Sequence, residues 1–318
     1  MSLFVQTGEY LTLPRAPETW VVENLLPTGG ILNIYGKPKS GKTFLALQLS
    51  QAISTNGTKV LDWRIMTHGP VCYLQVDTPR GLFCTNYLEQ IQADHYDMSN
   101  LWIADQEIVP YPFNIMSEGS VWLKHALTLM PHPPVAIVVD TIREIHSGDE
   151  NESSVMKNVM TAMVASVRSI TPNPAIMFIS HGRKGDPRRL ESDEDIMEGN
   201  RGSNYVAGRV DGVVRVGNSS KGITRLYYKS RTIDDTTIRV TRNDAGFWTP
   251  IDSEDITLIS SFVKGNPTAS HNKLAKLLLD HTGYGSISTW TRKIDHFLSS
   301  APSVAISSEN DTSLDEPD

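Results

Sequence analysis

The sequence has few cysteines, no long apolar run and no excess of positive charge. Only Cys72 and Cys84 occur among 318 residues and they form no CxxC pair, so they cannot build a cysteine zinc site or a disulfide framework. A reducing cytoplasm is the expected setting. No stretch of about 18 apolar residues is present, which argues against a membrane-spanning helix. The first residues, MSLFVQTGEY, lack the basic and apolar blocks of a secretion signal, so we do not expect export.

Charge is distributed unevenly along the chain. The 36 acidic and 29 basic residues give a net charge of −7, which argues against a strongly basic surface for nucleic acid. Five acids and no Lys or Arg fall in the last twenty residues, so the rest of the chain carries −2. This Ser-rich stretch is poor in apolar residues, and we predict an acidic disordered tail over 301–318. A solvated terminus is favoured over a docking tail.

Apolar runs alternate with amphipathic segments from Gly30 onward, and this alternation predicts the fold class. Strands are predicted at 30–36, 70–77, 135–140 and 175–181, followed by strands in GRVDGVVRVG, TRLYYKSR and TTIRVTRNDAGFW. Helical spacing is present at 44–54, around GLFCTNYLEQIQ and at 153–170. Such alternation is typical of an α/β fold with a doubly wound, mainly parallel sheet.

The composition becomes helical after Pro250. Three short helices with glycines between the last two predict a helix-turn-helix or winged-helix-like unit. We therefore predict an N-terminal arm (1–19), an α/β domain (20–250), the helical unit (251–300) and the tail. In the last helix Ser288, Thr289 and Arg292 are expected to face outward, with Lys293 among the available cations. DNA contact and docking of a partner protein are both open for this unit.

The segment GKPKSGKT matches the phosphate-loop pattern G-x-x-x-x-G-K-[ST]. It follows a β-branched strand and opens an amphipathic helix, which is the context that the mechanism needs. Glycines let backbone N–H groups turn toward a phosphate, the lysine supplies a cation, and the helix N-terminus favours an anion. The predicted nucleotide contacts are Gly36, Lys37, Pro38, Lys39, Ser40, Gly41, Lys42, Thr43 and Phe44.

Two aspartates end predicted strands next to this loop. Asp140 closes VAIVVD, where a carboxylate would hold Mg²⁺ together with the Thr43 hydroxyl. Asp77 ends CYLQVD and is the candidate base or water-orienting group for hydrolysis, because adjacent parallel strands bring their carboxyl ends to one crevice. On residue type alone, a turn aspartate before Thr78-Pro79 is an equal alternative for Asp77.

The order of these motifs resembles the RecA-like ATPases, in particular the RepA-type hexameric helicases of phages and plasmids and, more distantly, the DnaB class. The resemblance runs over residues 18 to 245. It is carried by the phosphate loop, DTIREIHSGDENESSVMKNV, the His-ended strand FISHGRKG, NRGSNYVAGRVDGVVRV and YYKSR. It implies ATP and Mg²⁺ as cofactors, a homo-oligomeric ring and movement along single-stranded DNA. Replication proteins are possible partners of the C-terminal unit.

The resemblance also implies roles for single residues. Asp77 matches the family's catalytic acid, although it is one methylene shorter than the usual Glu. His181 falls at the position that senses the γ-phosphate. Lys229 and Arg231 match the Lys-x-Arg pair that reaches the γ-phosphate of a neighbouring subunit. On physical grounds an arginine fork stabilises charge on transferring oxygens.

A basic loop follows His181. Residues 182–200 carry Arg183, Lys184, Arg188 and Arg189 early in the loop, and Arg201 begins the RGS segment that follows. Long loops in compact domains are usually functional or disordered. We predict contact with the phosphate backbone of DNA, with ordinary solvation as the competing interpretation.

Two other functions are compatible with the sequence. One is a RecA-like recombination mediator or single-strand annealing ATPase. The other is an ATP-switched regulator whose helical unit binds DNA or a partner.

Overall fold

A computed structural model gives the fold, and the residues it describes are 5–13, 19–182, 204–218, 222–251, 253–282 and 286–300. The chain divides into two compact units, Met1–Pro250 and Ile251–Asp318. The predicted acidic tail, 301–318, lies outside the described residues. Among the residues described, no helix combines the length and the apolar character that crossing a bilayer would require.

A nine-stranded sheet organises the first unit. Its strands and those of two small hairpins are β1 (Trp20–Val22), β2 (Leu26–Pro27), β3 (Ile31–Gly36), β4 (Lys59–Val60), β5 (Trp63–Arg64), β6 (Val71–Gln75), β7 (Leu101–Asp105), β8 (Ala136–Asp140), β9 (Ala175–His181), β10 (Gly212–Val216), β11 (Ile223–Ser230), β12 (Thr236–Arg242) and β13 (Trp248–Pro250). The order across the large sheet is β13-β12-β11-β10-β3-β9-β8-β6-β7. The strands from β10 to β7 are parallel, and β11, β12 and β13 extend the sheet in antiparallel fashion.

Helices cover the parallel part of the sheet on both faces. The helices of the first unit are α1 (Thr7–Thr12), α2 (Lys42–Ser54), α3 (Arg80–Phe83), α4 (Glu89–Ala93), α5 (Glu118–Thr128), α6 (Ser153–Arg168) and α7 (Asn204–Arg209). The second unit has helices of its own, α8 (Ser253–Gly265), α9 (His271–Thr282) and α10 (Ile287–Ser300). Buried residues of α2 form one apolar core with the sheet, and those of α5 and α6 form a second. Because both faces of β3, β8 and β9 are buried, these strands are near-continuous apolar runs in the sequence.

Strand β7 of the large sheet and helices α1, α5 and α7 were not predicted from the sequence. Strand β7 is an edge strand that is only partly buried, and Trp102 within it is exposed, so it lacks the continuous apolar run of the inner strands. Helix α5 buries only Gly119, Leu123 and Leu127. Both elements have weak apolar patterns because each has a large solvent-facing surface.

The described residues of the second unit form three helices, and they correct one expectation. Its core contains Trp290 and Ile294 of α10, both fully buried. Lys293 is also buried, and its Nζ lies 2.7 Å from Asp255 Oδ2. Thr289 is 4% exposed. The expectation that Thr289 faces outward and that Lys293 is an available cation was therefore wrong, because the helix turns both residues into the core.

Candidate functional site

The phosphate loop follows β3 at the carboxyl edge of the parallel sheet. Register pairs join Gly36 to His181 on β9 and to Val216 on β10, so three strand ends meet at the start of the loop. Gly41 has φ of 98° just before α2, a conformation that favours glycine. The loop and the N-terminus of α2 thus have the geometry of a phosphate-binding loop.

Trp248 packs against this loop and holds the first turns of α2. Its Nε1 donates to the Gly41 carbonyl at 3.3 Å, and a Cβ on Gly41 would lie 2.5 Å from its ring. The Gln48 side chain exchanges two hydrogen bonds of 2.9 Å with the Trp248 backbone. These contacts join β13 to α2 across some 200 residues of sequence, and no local pattern in the sequence pointed to Trp248.

Phe44 was predicted as a nucleotide contact, and its side chain lies in the interior. It is 8% exposed, with the Tyr87 ring centroid 4.8 Å away and the Arg242 guanidinium 5.0 Å from its own ring centroid. Its side chain therefore packs the base of the loop, and only its backbone N–H belongs to the helix N-terminus that faces a phosphate.

Lys42 is buried within the phosphate loop. It is 6% exposed, and its ammonium donates to the carbonyls of Gly36 at 3.2 Å and Lys37 at 3.0 Å. Burial lowers the pKa of Lys42, while the negative charges of Asp140 and Asp77 oppose that shift. The cation is thus held at the loop by groups that a phosphate can replace.

Asp140 and Thr43 meet beside the loop. The Thr43 hydroxyl donates to Asp140 Oδ2 at 3.0 Å, and the Tyr73 hydroxyl donates to the same oxygen at 2.8 Å. Burial raises the pKa of Asp140 to about 6, and the two hydroxyl donors act against that shift. Tyr73 was not singled out in the sequence, although a tyrosine inside a buried strand needs a partner for its hydroxyl.

Asp77 lies just beyond β6 and is exposed. Its negative charge acts on the pKa values of both Lys42 and Asp140, so it is electrostatically close to the phosphate loop. The turn after it is anchored by Arg80, which binds both carboxylate oxygens of Asp105 and keeps the pKa of that carboxyl low. The predicted base therefore has solvent access and a fixed supporting turn.

Lys229 and Arg231 lie at the other end of the sheet. Strand β11 runs antiparallel to β10, so Ser230 pairs with Gly212, which itself pairs with Leu32 near the start of β3. Gly36 is four residue steps further along β3 than Leu32, about 13 Å at 3.3 Å per residue. Both cations are exposed and ion-paired, Lys229 with Asp235 at 3.1 Å and Arg231 with Asp211 at 2.9 Å.

The predicted DNA-binding residues Arg183, Lys184, Arg188, Arg189 and Arg201 lie outside the described residues. The described chain reaches Gly182, whose N–H donates to the Gly36 carbonyl at 3.0 Å. The loop that carries these residues thus starts beside the phosphate loop. In the described part of the chain, no group of three or more His, Cys, Asp or Glu side chains is arranged to hold a metal ion.

The nucleotide site has the features that an ATP and Mg²⁺ complex requires. The Ser40 hydroxyl is buried and makes no hydrogen bond within the described part of the chain, so the loop has an unused polar group. Thr43 and Asp140 together offer hard oxygen donors, which Mg²⁺ prefers. The residues present therefore fit the cofactors that the sequence predicted.

Comparisons with known proteins agree with this geometry. A family model described as an AAA domain matches residues 1–187. The fold is similar to a solved ATPase domain, with 14% identity and a TM-score of 0.51, over 71% of this chain and 86% of that one. It is also similar to a DnaB-like replicative helicase described with its interactions with primase, with 12% identity and a TM-score of 0.52, over 77% of this chain.

The match covers 66% of that helicase, just under two thirds of its length. No curated protein matches the sequence. Identities this low show the fold alone, and the predicted RecA-like α/β fold is confirmed.

Proposed function

The chain belongs to the AAA domain family, and from this premise we propose that it is an ATP-driven DNA helicase. The family and the phosphate loop make it a P-loop NTPase. The proposed motor is a homo-oligomeric ring, hexameric by resemblance, that moves along single-stranded DNA in phage or plasmid replication. The fold likeness to a solved ATPase domain and to a DnaB-like replicative helicase supports this choice.

The position of Arg231 is the observation on which the proposal depends. Arg231 is 70% exposed and lies at the sheet end opposite its own phosphate loop. An arginine side chain cannot reach from that end of the sheet to the phosphate loop at the other end. Arg231 is therefore unable to complete the nucleotide site of its own chain. A neighbouring subunit's phosphate loop is the target that gives Arg231 and Lys229 a catalytic use. Arginine fingers are typically worth about 10³- to 10⁵-fold in rate.

The remaining roles follow from the described contacts. Lys42 would bind the β- and γ-phosphates, and Thr43 with Asp140 would hold Mg²⁺, which neutralises charge on the phosphates when bound. Asp77 is exposed beside them and would orient the attacking water. His181, paired with Gly36, is suited to sense the γ-phosphate.

DNA contact is assigned to the basic loop. Arg183, Lys184, Arg188, Arg189 and Arg201 would neutralise backbone phosphates, so binding should weaken as salt is raised. The loop follows His181 directly in the sequence. A change at the γ-phosphate would thereby alter DNA contact. The helicase of similar fold is described with its interactions with primase. We propose that the second unit of this chain likewise binds a replication protein.

Mixing two inactive variants tests the proposal. Lys42→Ala removes the phosphate-binding cation, and Arg231→Ala leaves nucleotide binding intact while removing the finger. Each variant alone should lose ATP hydrolysis. A mixture should regain activity at interfaces that combine the Arg231→Ala phosphate loop with the Lys42→Ala finger. Full activity of Arg231→Ala as a dilute monomer would refute completion of the site by a neighbour.

A strand-displacement assay tests the motor itself. A forked DNA duplex should be unwound by the wild type with ATP and not by Lys42→Ala. An ATPase rate that is independent of DNA and of protein concentration would exclude the ring-motor interpretation.

A further inference from the structure

Arg231 is held along one edge of its guanidinium. Its Nε lies 2.9 Å from Asp211 Oδ1, and Asp211 is mostly covered, at 23% exposure. Within the described part of the chain, no hydrogen bond engages the two terminal nitrogens of Arg231. The ion pair with Asp211 therefore leaves the two terminal nitrogens of the guanidinium available. These nitrogens can bind two phosphate oxygens at once.

Asp211 is itself fixed in place. Its second oxygen, Oδ2, accepts the Ile31 N–H at 2.8 Å, where β3 begins. Its carbonyl accepts the Arg231 N–H at 3.1 Å. Because both carboxylate oxygens and the carbonyl are engaged, Asp211 joins Arg231 to the central strand of the sheet.

The chain around Arg231 is also tied down. The Ser230 hydroxyl donates to the Asn24 carbonyl and accepts the N–H groups of Thr232 at 3.1 Å and Ile233 at 3.0 Å. The Thr232 hydroxyl donates to the same Asn24 carbonyl at 2.9 Å. The turn that carries Arg231 is thus bound to the turn between β1 and β2, while the Arg231 side chain stays exposed.

We propose that Asp211 is a positioning residue that orients Arg231 toward the nucleotide of the neighbouring subunit. This inference rests on the proposed function, since it requires a finger that acts between subunits. An exposed arginine without such a grip would sample many rotamers, and an exposed ion pair adds little to stability. The Arg231–Asp211 ion pair is therefore better explained by orientation of the arginine side chain than by a contribution to the stability of the fold.

Asp211→Asn tests this role with little change in shape. The amide oxygen can still accept the Ile31 N–H, while the negative charge that grips Arg231 is lost. We expect kcat for ATP hydrolysis to fall about 10- to 100-fold, as for a catalytic group displaced by about 1 Å. KM, nucleotide affinity and ring assembly should stay within about twofold of wild type. The matched control is Asp62→Asn, an exposed carboxylate paired with Lys59, which should leave kcat unchanged.

Mixing with Lys42→Ala subunits separates orientation from damage to the fold. Asp211→Asn keeps its own phosphate loop, so an intact finger from Lys42→Ala should restore its activity. In the Arg231→Ala background, Asp211→Asn should cause no further loss of kcat. If Asp211→Asn does not fold, Asp211→Glu serves instead, because it keeps the negative charge but displaces it. We expect a smaller fall in kcat for this variant, and mixing with Lys42→Ala subunits should also restore its activity.

Each result has one meaning. Unchanged kcat in Asp211→Asn overturns the positioning role, and so does a loss that mixing does not restore while Arg231→Ala is restored. If mixing restores neither variant, completion of the site by a neighbour is refuted, and the positioning role falls with it.

Discussion

Gly246→Ala should destabilise the first unit by acting on the base of the phosphate loop. Gly246 lies in the turn between β12 and β13 with φ of +81°. A Cβ there would lie 2.1 Å from Phe44 Cε1 and 2.5 Å from Cδ1. The ring has little room to retreat, because Tyr87 and Arg242 pack against it. Phe44 directly follows Thr43, so the strain is transmitted to the nucleotide site.

The magnitude has two parts. A left-handed conformation costs a non-glycine residue about 1–2 kcal/mol, and overpacking a core typically costs about 1–3 kcal/mol. The free energy of unfolding should therefore fall by about 2–5 kcal/mol. At about 2–4 °C per kcal/mol for a unit of this size, the Tm should drop by about 4–20 °C.

Thermal melting followed by circular dichroism measures this shift, and fluorescent-nucleotide binding should weaken in parallel. Gly81→Ala is the matched control, since a Cβ at Gly81 in α3 would have nothing within 4 Å. Alanine favours a helix, so that variant should match or slightly exceed the wild-type Tm. If Gly246→Ala melts within about 2 °C of wild type, the close packing of the turn on Phe44 is not rigid and the reasoning fails.

Three further predictions concern buried polar groups. Lys293→Met removes the ammonium from the buried Asp255 carboxylate and should cost the second unit about 3–5 kcal/mol, with recovery in Lys293→Met/Asp255→Leu, both read by melting curves. Burial lowers the pKa of His146 below its ordinary 6.5, so stability present at pH 7 should be lost as pH falls; His146→Leu should flatten that Tm–pH curve, and an unchanged slope would contradict this. Tyr73→Phe removes a donor to the Asp140 carboxylate and should lower stability by about 1.5–3 kcal/mol, whereas an unchanged Tm would show that the bond contributes nothing.

Local sequence signals were sufficient for the inner sheet. Strands β3, β8 and β9 are buried on both faces, so their apolar runs had one interpretation, and the helix after the phosphate loop followed from its spacing. The edge strand β7 was missed because its partly exposed surface mixes apolar and polar residues. Lys293 was misjudged because a lysine is expected at the surface. Its burial depends on an ion pair with Asp255, which lies on another helix and is distant in sequence.

In the candidate site, too, some residues were predicted from local sequence and others depend on the tertiary structure. Asp140 and Thr43 were predicted from a motif and a strand end, and the fold brings their oxygens to 3.0 Å. The contributions of Trp248 and Tyr73 depend on pairings between strands and helices that no local pattern encodes.

By itself the sequence determined a nucleotide-binding loop, because the backbone geometry that cradles a phosphate needs glycine, lysine and a hydroxyl at fixed spacing. Only the tertiary structure decided that Arg231 faces away from its own loop. An antiparallel strand carries it to the far end of the sheet, where Asp211 holds it. Strand direction is a property of the assembled sheet, so residue types alone cannot reveal which site such a cation serves.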